Sequence, residues 1–203
     1  RLRRFAEAVV SLERALSIIE SDPKRARSAF AAAVIAELGK ARLGEDKFAM
    51  AESLFERALT LSEALHGRES LQLTPVLVNL AKARHQRDRP VAAESALLRA
   101  LAIQEAAEGP EGAGVLHVLQ ELRWVYFWLD TTQTGLPKPG LFRDKLQPLL
   151  RRLLSLEQKL YSPKHPFLAL TLHQLAKSLL HEGLDYYGGG DIGLMGILAN
   201  AVL

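Results

Sequence analysis

The feature that most constrains this sequence is an internal repeat with a fixed step of 42 residues. Eight identities recur in one register. They are Leu38, Ala51, Glu52, Ser53, Arg57, Ala58, Leu59 and Gly67, which return as Leu80, Ala93, Glu94, Ser95, Arg99, Ala100, Leu101 and Gly109. A further match at a step of 43 links residues 5–20 to residues 48–63. Repeats of this length predict a solenoid, in which each unit packs only against its neighbours.

Each repeat has the pattern of two helices joined by a short polar turn, with apolar residues at helical spacing. Pro90 falls in the first turn of a predicted second helix, where a missing N–H costs little. Gly67 and Gly109 follow the predicted helix ends, where a left-handed cap favours glycine. Phe55 and Leu59 are predicted to lie on the buried stripe. Recurring small residues predict close helix contacts, and they are Gly39, Ala51, Ala58, Ala81, Ala93 and Ala100.

In the two middle units, the order of leucine, a small residue, alanine, an apolar residue and alanine resembles the tetratricopeptide repeat. The third unit departs from it, with Arg123 where Gly39 and Ala81 are small. The 42-residue step and the phrase SPKHP at residues 162–166 resemble the longer variety of kinesin light chains. The resemblance implies an all-α fold, a right-handed superhelical α-solenoid of antiparallel helix pairs. It also implies that the first helices of the units line a concave groove, in which segments of partner proteins bind.

The repeat domain is predicted to span residues 1–185 and to be followed by a Gly-rich, apolar tail at 186–203. Its predicted units are a partial one at about 4–20, full ones at 30–67, 73–109 and 114–163, and a partial or capping helix at 166–182. The third unit has 11 surplus residues, which fit an insertion at 130–140. This insertion is either a contact loop or a tolerated surface insertion. The incomplete units at both ends suggest a chain that is truncated or completed by a partner.

The composition narrows the chemistry of the chain. It has no cysteine, which excludes disulfides, thiolate metal sites and a cysteine nucleophile. Its six histidines form no H-E-x-x-H motif, and no phosphate-binding or nucleophile motif is present. We therefore expect no catalytic residue, no metal, no cofactor and no small-molecule substrate, so the chain is predicted not to be an enzyme. The net charge of +3 is spread among acids, which argues against a nucleic-acid interface, and no apolar run is long enough to span a membrane.

Aligning the repeats in the same register identifies the residues of this chain that would line the groove of the family. Lys40, Lys82, Trp124 and Lys177 each follow the unit's leucine by two residues. Asn79, which precedes such a leucine, matches an asparagine that often contacts peptide backbone in the family. The expected partner segment carries acidic residues near Lys40 and Lys82 and an apolar residue near Trp124. The alternative is that the lysines are ordinary solvated charges and that Trp124 and Trp128 fill the core of the third unit.

The function predicted from these patterns is a non-catalytic scaffold for protein–protein contacts, most simply a structural or adaptor subunit of a larger assembly. The alternative is an interaction domain of a multidomain enzyme or regulator whose catalytic part lies outside this chain. RNA binding by the helices would require a continuous basic face, against which the interspersed acids argue. The lack of cysteine fits a reducing compartment or an organelle interior, a mitochondrion or plastid if a presequence has been removed. The sequence does not identify the compartment itself.

Overall fold

The computed structural model describes residues 2–132 and 142–186, and every regular element in these ranges is helical. The chain divides into two compact units, one ending at Val118 and the other beginning at Leu119. The predicted insertion at 130–140 lies outside the described residues except for its first three, which belong to a helix. The predicted tail at 186–203 also lies outside them, except for Tyr186. The domain limits therefore stay a prediction.

The helices are numbered in chain order. They are α1 (Leu2–Glu20), α2 (Pro23–Ala26), α3 (Ala29–Gly44), α4 (Phe48–His66), α5 (Thr74–Gln86), α6 (Pro90–Glu108), α7 (Ala113–Thr132), α8 (Gln147–Leu160) and α9 (Pro166–Tyr186). A short 3₁₀ turn, Leu71–Leu73, precedes α5, and a π-helical turn, Phe142–Leu146, precedes α8. In the first unit α3 pairs with α4 and α5 pairs with α6, while α1 packs on α3 and α4 packs on α5. In the second unit α8 packs on α9.

The 42-residue step of the sequence is confirmed by the helix bounds. Helices α4 and α6 both have 19 residues and begin at Phe48 and Pro90, which are 42 positions apart. The turns before them place Asp46 and Asp88 at φ 59° and 56°, again 42 positions apart. Because the same strained turn recurs at the same step, the repeat is one of backbone geometry as well as of residue type.

At the ends of α4 and α6, Gly67 and Gly109 have the positive φ angles that favour glycine, but their ψ angles differ from those of the predicted left-handed cap. Gly67 has φ 85° and ψ 162°, and Gly109 has φ 80° and ψ 171°. These ψ values lie outside the left-handed helical region that was predicted. They fall in the region with positive φ and extended ψ, which is essentially restricted to glycine. Each glycine therefore ends its helix by turning the chain into an extended segment.

Small residues lie where the helices approach closely, as predicted. A Cβ atom on Gly39 would come within 2.7 Å of the Phe55 ring, so α3 and α4 can approach only because that atom is missing. The alanines at the predicted contact positions are fully or almost fully buried. Phe55 is fully buried as well, and Leu59 is half-buried and packs against the same core, so both lie on the predicted buried stripe. The contact between the helices is therefore made by Phe55 on Gly39.

Ion pairs between neighbouring helices recur from one repeat to the next, with the arginines 42 positions apart and the glutamates 43 positions apart. Arg57 of α4 bonds Glu20 of α1, and Arg99 of α6 bonds Glu63 of α4. Likewise, Arg42 of α3 bonds Glu13 of α1, and Arg84 of α5 bonds Glu56 of α4. Helix α1 thus takes the place of a second helix, as its sequence predicts. The ion pairs fix the register between successive second helices on the surface of the first unit.

The turn between α8 and α9 explains the SPKHP phrase. The rings of Tyr161 and His165 stack with their centroids 4.2 Å apart, and the His165 ring lies 5.1 Å from that of Phe167. His165 Nδ1 accepts a hydrogen bond from the Phe167 backbone N–H at 3.3 Å. The histidine of this phrase therefore holds the first turn of α9 in place.

Candidate partner-binding site

The sequence-predicted residues Asn79 and Lys82 lie one turn apart on α5. The side chain of Asn79 donates from Nδ2 to the backbone oxygen of Pro75 at 2.8 Å. Pro75 occupies the first turn of the helix, where proline is tolerated. This bond holds the Asn79 amide against the helix, and Lys82 is half-buried.

Both residues line a cavity of about 340 Å³ within the first unit. Its walls come from α5 and the turn before it, from the end of α6 and from the first turns of α7. The lining residues are Leu71, Thr74, Pro75, Val78, Asn79, Lys82, Gln104, Glu108, Gly114 and His117. The volume suits one large side chain, so the cavity can receive part of a partner molecule.

Two of the residues that line the cavity each carry a buried polar atom without a hydrogen-bond partner. The hydroxyl oxygen of Thr74 and the amide oxygen of Gln104 are unpaired, and both residues are 7% exposed. A buried polar group without a partner costs about 1–3 kcal/mol. The second repeat therefore carries polar groups here that its own packing does not satisfy.

Glycines at the start of α7 make room for the polar wall of the cavity. A Cβ atom on Gly114 would come within 1.5 Å of Gln104 Nε2, and one on Gly112 within 2.5 Å of Glu108 Oε2. The same Glu108 oxygen accepts a hydrogen bond from the Gly114 backbone N–H at 3.0 Å. The position of the Gln104 side chain thus depends on glycine at residue 114.

The preceding repeat lacks these features at the equivalent positions. In the 42-residue register, the equivalents of Thr74, Gln104 and Gly114 are Ala32, Ser62 and Gln72. The three residues of the second repeat are functional candidates that the sequence analysis did not identify. Their departure from the repeat was the signal that could have identified them. Conversely, the side chain of Lys40 pairs with Glu37 at 2.6 Å on the exposed face of α3. Asn79 stands where Glu37 does, so the second repeat replaces this acid with a neutral amide.

In the second unit, Trp124 and Lys177 lie in different surroundings. Trp124 is 47% exposed and Trp128 is 39% exposed, so the alternative that they fill a core is wrong. The Arg123 guanidinium lies 5.5 Å from the Trp124 ring centroid. Lys177 Nζ of α9 lies 5.3 Å from the Phe127 ring of α7. Trp124 and Phe127 of α7 each therefore have a cation beside the ring, and Trp124 stays nearly half exposed.

A deeply buried polar cluster also lies in the second unit. Arg123, at the position of Gly39 and Ala81, is 1% exposed and donates to the Thr171 hydroxyl at 3.0 Å. Thr171 in turn donates to the fully buried carboxylate of Glu157 at 2.7 Å, and Arg123 Nη1 is 3.9 Å from the other oxygen of that carboxylate. Burial lowers the pKa of Arg123 below its ordinary value, although nearby carboxylates act in the opposite direction. This buried pair holds α7, α8 and α9 together.

In the first unit, the carboxylate of Glu52 is the centre of a second cluster. Its side chain is 3% exposed and receives hydrogen bonds from Arg84 at 3.0 Å, Arg89 at 2.8 Å and Arg87. Burial opposes ionisation, but the bonds from Arg87 and Arg84 and the charge of Arg89 outweigh it and hold the pKa of Glu52 below its ordinary value. Glu52 therefore fixes α4 to α5 and to the turn that follows α5.

Neither a metal centre nor a membrane span is found in the described part of the chain. Across residues 2–132 and 142–186 no three His, Asp or Glu side chains come together in a way that could hold a metal ion. The described helices include none that is long and apolar enough to cross a bilayer.

Comparison with known proteins identifies the repeats. Residues 30–106 match the family model of the tetratricopeptide repeat. BtubC (BKLC) from P. vanneervenii is 20% identical with a TM-score of 0.70, covering 98% of this chain and 72% of that one. A Podosopora anserina protein, a putative kinesin light chain with nearly identical TPR-like repeats, is also 20% identical. Its structure has a TM-score of 0.68 and that of a point variant has one of 0.72, each covering 98% of this chain and 89% of that one.

None of the curated proteins shows significant sequence similarity to this chain. At 20% identity, the likeness to the solved structures establishes the fold alone. That fold is the all-α, tetratricopeptide-like solenoid of helix pairs that the repeat predicts.

Proposed function

Because the chain carries tetratricopeptide repeats of the kinesin-light-chain-like kind, which are scaffolds for protein–protein contacts, we propose that it is an adaptor subunit of a larger assembly. In its first unit, the partner segment lies along the faces of α3 and α5 that carry Lys40, Asn79 and Lys82. The observation that supports this most is the cavity of about 340 Å³ beside Asn79 and Lys82. A side chain of the partner enters the cavity while its backbone runs across α5.

The charges beside the cavity set the chemistry of the segment. Lys82 contributes a positive charge to the lining, and Asn79 replaces the acid that pairs with the equivalent lysine in the preceding repeat. An acidic residue of the partner beside Lys82 therefore gains a favourable interaction. At Lys40, the same partner charge has to compete with Glu37.

The second unit offers an apolar anchor of its own. Trp124 is nearly half exposed on α7, and large aromatic side chains dominate binding energy where a partner covers them. Lys177 of α9 lies against Phe127 and supplies a positive charge on the same unit. We assign this pair to contacts with an apolar and acidic part of the partner.

Charge reversal tests the proposal. The partner is first isolated as a stable complex with the native protein, and its affinity is then measured by calorimetry. The double variant Lys40→Glu/Lys82→Glu should bind at least tenfold more weakly, because each reversal replaces attraction with repulsion of about 0.5–1 kcal/mol. Lys24→Glu on α2, an exposed lysine away from the site, is the matched control and should bind as the native chain does. Equal affinities for the double variant and the native chain would exclude the α3 and α5 faces.

A further inference from the structure

We infer that the cavity of the first unit is a specificity pocket for a carboxamide, the side chain of an asparagine or glutamine of the partner. That the carboxamide belongs to a partner protein rests on the proposed function, whereas its chemistry is argued from the residues that line the cavity. It names the group that is recognised, which the charges along α3 and α5 do not determine.

The unpaired atoms of the walls define which ligand group is missing. Gln104 Oε1 can only accept a hydrogen bond, so it needs a donor, which a carboxylate does not supply. Thr74 Oγ1 can donate to a carbonyl oxygen or accept from an N–H. A carboxamide carries both an NH₂ group and a carbonyl oxygen in one plane, and so satisfies both atoms at once.

The charges of the lining favour a neutral ligand. Lys82 and Glu108 both line the cavity and carry opposite charges. The carboxylate of Glu108 already accepts the Gly114 N–H, which keeps its negative charge at this end of the cavity. A partner carboxylate would meet this charge inside the cavity, whereas a carboxamide can donate toward Glu108 and accept from Lys82.

The geometry at residue 114 allows Gln104 to respond to a ligand. The terminal torsion of a glutamine side chain is broad, so a small rotation that leaves Nε2 beside Gly114 can bring Oε1 to the cavity. Only glycine at residue 114 leaves the space that the amide occupies. Leu71, Pro75 and Val78 supply the apolar walls that would pack on the methylene groups of the ligand.

The contrast with the preceding repeat separates this role from packing. There the equivalent residues are Ala32, Ser62 and Gln72, which provide neither the hydroxyl of Thr74 nor the space beside Gly114. A helix pair of the same register therefore forms without these groups. Their presence in the second repeat is explained by a ligand and not by the demands of the fold.

The test uses the full chain, labelled with ¹⁵N, and small blocked amino acids as probes. N-acetyl-glutamine methylamide is titrated while the Gly114 backbone signal and the Gln104 side-chain NH₂ signals are followed by NMR. The matched probes are the N-acetyl methylamides of glutamate, norleucine and serine, which supply a carboxylate, an alkyl chain and a hydroxyl. The glutamine probe should saturate these signals at millimolar concentration, about fivefold or more tighter than each matched probe.

Two near-isosteric variants connect the binding to the unpaired atoms. Gln104→Met and Thr74→Val remove the polar atoms while retaining the bulk of the side chains, and each should weaken the glutamine probe about fivefold. Ser62→Ala, at the equivalent position of the preceding repeat, is the control and should leave its affinity unchanged. Both polar-to-apolar variants remove an unsatisfied group and should remain folded.

If the glutamine probe causes no saturable shift of the Gly114 and Gln104 signals, the cavity holds only water and the inference is overturned. Equal binding of the norleucine, serine or glutamate probe would overturn it too, as would unchanged binding to Gln104→Met. These outcomes leave the scaffold role intact, since the charge-reversal experiment measures contacts of Lys40 and Lys82 with the whole partner. If the charge-reversal variant binds the partner as the native chain does but the glutamine probe still binds, the pocket is supported. The proposed course of the partner segment along α3 and α5 is then excluded.

Discussion

Removing the negative charge of Glu52 should destabilise the first unit more than removing any exposed carboxylate. The substitution Glu52→Gln keeps the side-chain shape but leaves three arginines facing a neutral amide. The bond from Arg84, whose side chain is 20% exposed, accounts for about 1.5–3 kcal/mol as a partly buried, charge-assisted hydrogen bond. Those from Arg87 and Arg89, which are 38% and 53% exposed, account for about 0.2–1 kcal/mol each.

The expected loss is therefore about 2–4 kcal/mol in the free energy of unfolding, since the amide retains part of the bonding. Urea denaturation followed by circular dichroism measures it, and the melting temperature should fall by about 5–15 °C. Glu56→Gln is the matched control, because the Glu56 side chain is 51% exposed and its carboxylate bonds a single arginine, Arg84, among the described residues. This control should cost less than about 1 kcal/mol.

The pH dependence of the same loss tests its electrostatic origin. The folded-state pKa of Glu52 lies below the ordinary value of 4.5, so the unfolded chain takes up a proton first as the pH falls. The stabilisation by Glu52 is therefore fully present above 4.5 and is lost as the pH falls through the folded-state pKa. The stability gap between native chain and Glu52→Gln should shrink over that range. A gap that does not depend on pH, or one no larger than that of Glu56→Gln, would refute the reasoning.

Three further substitutions test the packing. Gly39→Ala places a Cβ atom 2.7 Å from the Phe55 ring and should cost about 1–3 kcal/mol in urea unfolding, whereas an unchanged midpoint would contradict the close α3–α4 contact. Gly109→Ala meets nothing within 4 Å but forces alanine to φ 80°, so it should cost about 1–3 kcal/mol by calorimetry; a neutral result would exclude backbone strain there. Arg123→Leu strands the buried Glu157 charge and should cost about 3–5 kcal/mol, much of which returns in Arg123→Leu/Glu157→Leu. A double variant as unstable as the single one would argue against coupling of the pair.

The repeat carried most of the information about the fold, because packing between identical units constrains small residues and turn residues at fixed steps. Gly39, Ala51 and Ala58 could be assigned to helix contacts since any larger side chain there would separate the helices. The ψ values at Gly67 and Gly109 could not be predicted, because glycine is compatible with several conformations at positive φ. Helical spacing placed Leu59 correctly on the buried stripe, but spacing does not give the depth of burial, and this side chain is only half-buried.

The candidate site was predictable only in part. Register placed Asn79 and Lys82 beside each other, but it treats every unit alike and therefore did not distinguish Lys82 from Lys40. In the structure Lys40 pairs with Glu37, and Asn79 stands at the equivalent position of the next repeat. Thr74 and Gln104 were missed because their importance depends on the burial of single atoms, which periodicity does not describe. The same holds for Glu157 and Thr171, which surround Arg123 through contacts between distant segments.

Site-specific photo-crosslinking tests most directly the central claim that partner proteins contact the chain through α5. A benzophenone amino acid replaces Lys82 in one variant and Lys24 in another, and both are irradiated in the complex with the isolated partner. The account predicts a covalent adduct of chain and partner from residue 82, and none from residue 24. Adducts of equal yield from both positions, or from residue 24 alone, would contradict it.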